Sequence, residues 1–235
     1  MASQPPIEEA FLREVDDELR QEQMIAMWKR YGRIALVAAL LLLVALGAWL
    51  FWRAEAEKKR EAQGETMATL IADVAAGRKT AAAGKIAELV DGGGTGYRIS
   101  ALLTRAALAL QDGDRKAATT IYADIAADEK APQPYRDVAL LRQTLLDYDT
   151  LRPQQVIDRL KPLAVPGGAF FGTAGEMTAI ALLQSGRPGE AGRLLAEVAR
   201  DTETPDTLRA RAARLANSLG VVVDAQAAPV PAAKD

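Results

Sequence analysis

Histidine and cysteine are both missing from this 235-residue chain. Without histidine there is no side chain that serves as a general base at neutral pH without a shifted pKa, and the commonest metal ligand is gone. Without cysteine there is no disulfide framework, which fits any compartment and selects none. No ordinary Ser or Cys triad can be assembled from what is left, and no GxSxG elbow occurs. A zinc site would need all-carboxylate ligation, which suits zinc poorly. Aromatic residues make up only 5% of the chain, and strand signals are nearly absent, Val221–Val223 being the one β-type triplet. Catalytic residues, metal ligands and cofactors are all expected to be none.

The remaining phosphate-like and acid–base patterns fail on inspection. Asp91-Gly-Gly-Gly-Thr-Gly96 could cradle an anion with backbone N–H groups. It misses GxGxxG because Tyr97 stands at the third glycine position, and it follows a helical stretch rather than a strand. Gly84-Lys85 misses the Walker pattern, with Lys79 at the first glycine and Ile86 where Ser or Thr must hold magnesium. Carboxylate pairs such as Asp16/Asp17 and Asp147/Asp149 lie in polar stretches, where nothing separates their pKa values. The glycine cluster reads as a link between helices.

What the chain does have is one long apolar run. Ile34 to Trp52 (IALVAALLLLVALGAWLFW) carries no charge over 19 residues. At 1.5 Å per residue it spans about 28 Å, close to a bilayer's hydrocarbon core of roughly 30 Å. Seven Leu, two Val, one Ile and one Phe favour insertion by several kcal/mol in total. Trp28 and Tyr31 before the run, and Trp49 and Trp52 at its end, stand where amphipathic rings settle at the headgroup boundary. Lys29, Arg30 and Arg33 crowd the N-terminal flank, against Arg53 alone beside the other end, which favours an N-terminus in the cytoplasm. A cleaved signal peptide is the competing reading, because Ala54-Glu55-Ala56 has the small-x-small pattern. The run exceeds the 7–15 residues of a usual signal core, and a 33-residue acidic leader precedes it.

Past residue 33 the chain holds 24 basic and 24 acidic residues, so the part beyond the span is neutral and has no basic stripe. Such a surface is a poor nucleic-acid binder. Ala54 to Gln63 (AEAEKKREAQ) reads as continuous helix. Beyond it, Ala and Leu dominate and apolar residues recur three and four apart, as in Leu102, Leu103, Ala106 and Leu110. Turn signals at Gly77, Gly113, Thr150 and Gly186 are spaced 36, 37 and 36 residues, each between two apolar helical stretches. Gly92–Gly94, Pro132/Pro134, Pro162/Pro166 and Pro205 break the second stretches, and a last helix from Asp206 to Leu219 has no partner. Paired helices at this period predict an all-α solenoid of about four hairpins plus a capping helix.

These residues resemble tetratricopeptide repeats. Ala118 and Ala191, five past the turn, fill the small slot of the second helix; Tyr122 and Leu195 follow four later. Ala106 and Ala179, seven before the turn, fill the small slot of the first. The third unit departs, with Thr150 for the turn glycine and Val156 near the small slot, and no repeat has the early aromatic of the family. An irregular Ala-rich helical bundle is the plainer alternative. The leader adds a second resemblance. Phe11-Leu12-Arg13-Glu14-Val15-Asp16-Asp17-Glu18-Leu19-Arg20, then Trp28-Lys29-Arg30-Tyr31-Gly32, then one span and short Ala-rich repeats, is similar to the YfgM-type ancillary subunits of the bacterial SecYEG translocon. That resemblance implies a bacterial inner-membrane protein whose periplasmic repeats work with translocon subunits, periplasmic chaperones and emerging, non-native polypeptide.

The resulting layout is a cytoplasmic leader over 1–33, a transmembrane helix over 34–52, a tetratricopeptide-like solenoid over 53–220 and a disordered tail over 221–235. Two surfaces are candidate sites. Projecting the repeat register places Met67, Ile71, Val74, Leu103, Leu110, Leu140, Tyr148, Ile180 and Leu183 toward a concave face that could accept extended apolar segments, unless they serve as hairpin packing. In the leader, Ile7, Phe11, Val15 and Leu19 recur every four residues beside an acidic face that anionic lipid would repel. That stripe either docks on a basic protein surface or lies solvated. Ala35, Ala39 and Gly47 give a weak small-residue face for a homo-oligomer, or plain filler. The expected work is a non-enzymatic, membrane-anchored adaptor or chaperone-like subunit of the export translocon; an envelope-assembly scaffold for cytochrome maturation or division is the alternative.

Overall fold

The structure, a computed structural model, describes the backbone of residues 7–223 and the side chains of 29–223 apart from 31, 35 and 39. Among the described residues there are nine α-helices and no strand. They are α1 (Ile7–Ala75), α2 (Lys79–Gly92), α3 (Thr95–Gln111), α4 (Arg115–Ala127), α5 (Gln133–Asp147), α6 (Pro153–Leu160), α7 (Phe171–Gln184), α8 (Pro188–Arg200) and α9 (Asp206–Ser218). The chain divides into two compact units, Met1–Glu61 and Ala62–Asp235.

The first unit holds the apolar run inside α1, which continues unbroken through 54–63 as the sequence predicts. From Ile34 to Trp52 the large apolar side chains that are described are all exposed. This is the one described helix long and apolar enough to cross a membrane. At its end the Arg53 guanidinium lies 5.4 Å from the Trp49 ring centroid, a cation–π contact, and pairs with Glu57 one turn on. The side chains of Ile7, Phe11, Val15, Leu19, Trp28 and Tyr31 lie outside the described residues, as do those of Ala35 and Ala39.

The second unit is four hairpins and a last helix: the end of α1 with α2, α3 with α4, α5 with α6, α7 with α8, then α9. Each hydrophobic core joins a hairpin to the helix that follows it. Leu70, Ala82, Ile86 and Leu89 meet Ala101 of α3. Ile99, Ala106, Ala118, Tyr122 and Ile125 meet Ala139 of α5. Val156, Leu160 and Leu163 meet Ala174 and Met177 of α7, and Leu182, Leu195 and Val198 meet Ala212 and Ala216 of α9. No hairpin closes its own core, as a solenoid requires, and α9 covers the last one.

Three of the four first helices end alike. Gly77, Gly113 and Gly186 adopt φ of 69°, 80° and 71°, a region closed to most residues with a Cβ. The N–H after each glycine reaches back five residues: Arg78 to Asp73, Asp114 to Ala109 and Arg187 to Leu182, at 2.8, 2.8 and 2.9 Å. Each glycine N–H bonds three residues back. This pair of bonds is the Schellman motif, which satisfies carbonyls orphaned at a helix end and turns the chain at once into the next helix.

The third hairpin reaches the same packing by another turn. Thr150 has no positive φ; its N–H and its hydroxyl both bond the Asp147 carbonyl at 2.8 Å. Gln155 then accepts from the Arg152 N–H at 3.0 Å, and Pro153 starts α6. The buried slots show where the register lies. Leu70, Ala106, Thr144 and Ala179 are fully buried on the first helices, and Ala82, Ala118, Val156 and Ala191 twelve residues later on the second. The within-hairpin spacing is therefore invariant. The irregularity sits in the connections between hairpins, which run 24, 26 and 23 residues from slot to slot. Leu151, not Thr150, holds the place of the turn glycine in the third unit.

The chain past α9 differs from expectation in one respect. Val221 and Val223, assigned by sequence to the tail, pack onto the last core, with Val223 buried in it. Residues 224–235 lie outside the described residues.

Candidate functional site

The first helices present a repeated surface, and the buried slot fixes it. A fully buried residue seven before the turn sets the rotation of each helix, and the next residue is turned about 100° away from the core. Those next residues are Ile71, Ala107, Leu145 and Ile180, all exposed. Ile71 is 60% exposed, Leu145 52% and Ile180 38%. Three and four positions away, on the same face, lie Met67 and Val74, Leu103 and Leu110, Leu141 and Tyr148, all half-buried. In the fourth hairpin Leu183 keeps the pattern, but Glu176 breaks it and pairs with Arg211 of α9. On the other flank of the row stand Ala68 and Ala75, Thr104 and Gln111, and Arg142 and Asp149, so in the first three hairpins the row is apolar on one flank only, and in the fourth Glu176 interrupts that flank too.

The nine groove residues named from sequence divide by environment. Met67 and Val74 lean on the first core, Leu103 and Leu110 on the second, Leu140 and Tyr148 on the third, and Leu183 on the last. These seven serve packing within and between hairpins. Ile71 and Ile180 stand out to solvent. Tyr148 also donates its hydroxyl to the Met177 carbonyl at 3.2 Å, tying the third hairpin to the fourth, and burial beside Asp149 raises its pKa. Leu145 was missed from sequence because Thr150 marked the turn. Aligning Val156 with Ala118 and Ala191 would have shifted the register by one residue and found it.

Ion pairs fasten the helix ends and connections. Asp73 is buried and accepts from Arg78 at 2.6–2.8 Å and from Lys85 at 2.6 Å. Those two cations hold its carboxyl below the ordinary carboxylate range, the Lys85 hydrogen bond contributing most. Arg98 and the Lys130 N–H do the same for Asp128. A cleft of about 510 Å3 opens between α2 and α3, floored by Ala83, Ile86, Leu108 and Ala109. Its rim carries Arg105 and the Lys79–Asp112 ion pair, and Asp114 there caps α4 through the Ala117 N–H at 2.9 Å. Among the described residues no group of three or more acidic side chains is placed to hold a metal. Apolar side chains line the row and the cleft floor, and ion pairs stand at the cleft's rim.

A family model described as a tetratricopeptide repeat-like domain matches residues 26–204. Neither a curated protein nor a solved structure matches the chain. The match covers about three quarters of the sequence and includes all four hairpins, and the chain belongs to that family.

Proposed function

We propose, from membership of the tetratricopeptide repeat-like family, that this protein is a non-enzymatic, membrane-anchored adaptor with chaperone-like binding beside the Sec export channel. In this reading the apolar part of α1 is a single-pass anchor in a bacterial inner membrane, with the leader in the cytoplasm and the repeats in the periplasm. The partners are translocon subunits, periplasmic chaperones and emerging polypeptide, and the leader block similar to YfgM-type subunits supports that placement. The observation that carries the binding role is the exposed row Ile71, Ala107, Leu145 and Ile180, repeated once per hairpin. Isolated exposed apolar residues are ordinary; a row in repeat register, flanked by half-buried apolar side chains, marks an interaction surface.

The test places a photo-crosslinking residue at Ile71, Leu145 or Ile180 in the full-length protein in its membrane. Adducts to export-channel subunits or nascent chains are expected there, and not from Arg115 or Lys116 on the second helices. Adducts equal at all positions, or absent from the first-helix row, would remove the proposal. Capture of a heme-linked partner in mild detergent would move the protein to the envelope-scaffold role.

A further inference from the structure

The chain leaves α9 through Gly220, at φ 81°, with the Val221 N–H bonded to the Ala216 carbonyl at 3.0 Å, and Val221–Val223 follow outside any helix. Burial alternates along it: Val221 is half-buried, Val222 is 79% exposed and Val223 is 4% exposed. That two-residue period is a strand's, yet among the described residues no strand lies beside it. Past the Val221 bond to the Ala216 carbonyl, its partner is a side chain. The Asn217 Oδ1 accepts from the Val223 N–H at 2.7 Å, and the Asn217 Nδ2 donates to the Val223 carbonyl at 3.4 Å. One carboxamide exchanges both bonds with one residue, as opposite residues do across an antiparallel ladder.

The bed beneath is apolar and shaped. Val223 joins the core of Leu195, Val198, Ala212 and Ala216, and Val221 packs against that same core. Gly192 of α8 makes room for Val221: a Cβ on it would stand 2.8 Å from the Val221 Cγ2 and 3.3 Å from the Leu219 Cβ. Asn217 reads backbone and therefore no sequence. The two pockets take branched side chains two apart, and the residue between them faces water.

We infer that α8 and α9 form a receptor for an extended peptide with valine-sized side chains at alternate positions, and that Val221–Val223 fills it as a displaceable ligand in cis. The incoming partner is an extended, apolar segment of another polypeptide with β-branched residues two apart. Attachment to α9 gives the chain's own segment an effective concentration on the order of millimolar. The site is thus closed to weak ligands and yields to strong ones. It is separate from the first-helix row and stands whether or not that row binds.

Two measurements on the full-length protein in mild detergent decide the matter. In the natural chain, the Val223 amide should exchange hydrogen at least tenfold faster than those of Leu195 and Val198 in α8. Exchange as slow as theirs would make the segment a fixed part of the core and overturn the inference. In a Val221→Ser/Val223→Ser variant, a fluorescent peptide of residues 219–226 should bind saturably, at least tenfold tighter than to the natural chain. Adding Asn217→Ala should weaken it at least tenfold, and a peptide with serine at both valine positions should not bind. No saturable binding, binding indifferent to Asn217, or loss of helical circular dichroism in the variant would each overturn the inference.

Discussion

Gly175→Ala and Gly84→Ala are the same substitution in two helices, and the structure gives them opposite signs. In an open helix the change gains about 1 kcal/mol, because alanine loses less backbone entropy than glycine. Gly84 in α2 has nothing within 4 Å of a built Cβ, so it should collect that gain. Gly175 in α7 faces α8: its Cβ would lie 2.6 Å from the Val198 Cγ2 and 3.5 Å from the Phe171 ring. Both neighbours are fully buried, and Val198 is β-branched and stiff about χ1, so neither side chain can swing away. The helices themselves must separate. Overpacking of this kind costs about 1–3 kcal/mol, and the short contact places it toward the top of that range. The net effect is a loss of about 1–2 kcal/mol at Gly175 against a gain of about 1 kcal/mol at Gly84. For a unit of this size that means a melting temperature lower by about 2–8 °C in one case and higher by about 2–4 °C in the other. Thermal unfolding of the full-length protein in mild detergent, followed by circular dichroism at 222 nm, reads both. Repeat arrays can unfold piecewise, so hydrogen exchange should localise the loss to α7–α9. A Gly175→Ala protein as stable as the natural one would refute the tight α7–α8 packing on which the register rests.

Further tests address the turns, the buried charge, the small slots and the anchor. Gly113→Ala and Gly186→Ala should each lower stability by about 1–2 kcal/mol, since both sit at positive φ; Thr150→Gly, where φ is not positive, should gain nothing, and a gain there would contradict the alternative turn. Asp73 has its folded pKa lowered from 3.8 by Lys85 and Arg78; its contribution is present above that value and is lost as pH falls below it. Asp73→Asn should accordingly flatten the acid limb of stability measured by urea titration below about pH 4, and an unchanged limb would show that the pair contributes nothing. Ala118→Leu should cost about 1–3 kcal/mol by forcing α3 and α4 apart, checked by the same urea midpoint. Washing membranes with alkaline carbonate should leave the full-length protein in the pellet, and its release would argue against the anchor.

Several features were fixed by the sequence acting locally. The uncharged Leu- and Ala-rich run over 34–52 favours a helix by composition alone, whereas the exposure of its side chains is read only from the structure. Gly77, Gly113 and Gly186 reverse the chain because backbone sterics at positive φ exclude most other residues, and that rule needs no knowledge of neighbours. The small residues Ala106, Ala118, Ala179 and Ala191 likewise announced the close approach of paired helices. What remained hidden depended on contacts between distant residues. The twelve-residue spacing within each hairpin is kept by packing, so the third unit places Leu151 at the turn and turns Leu145 outward with Val156 as the one sequence signal of that register. Val221–Val223 looked like tail because three valines after a helix carry no instruction of their own. Only the space over Gly192 and the carboxamide of Asn217, brought there by the folding of α8 against α9, gave that segment its place.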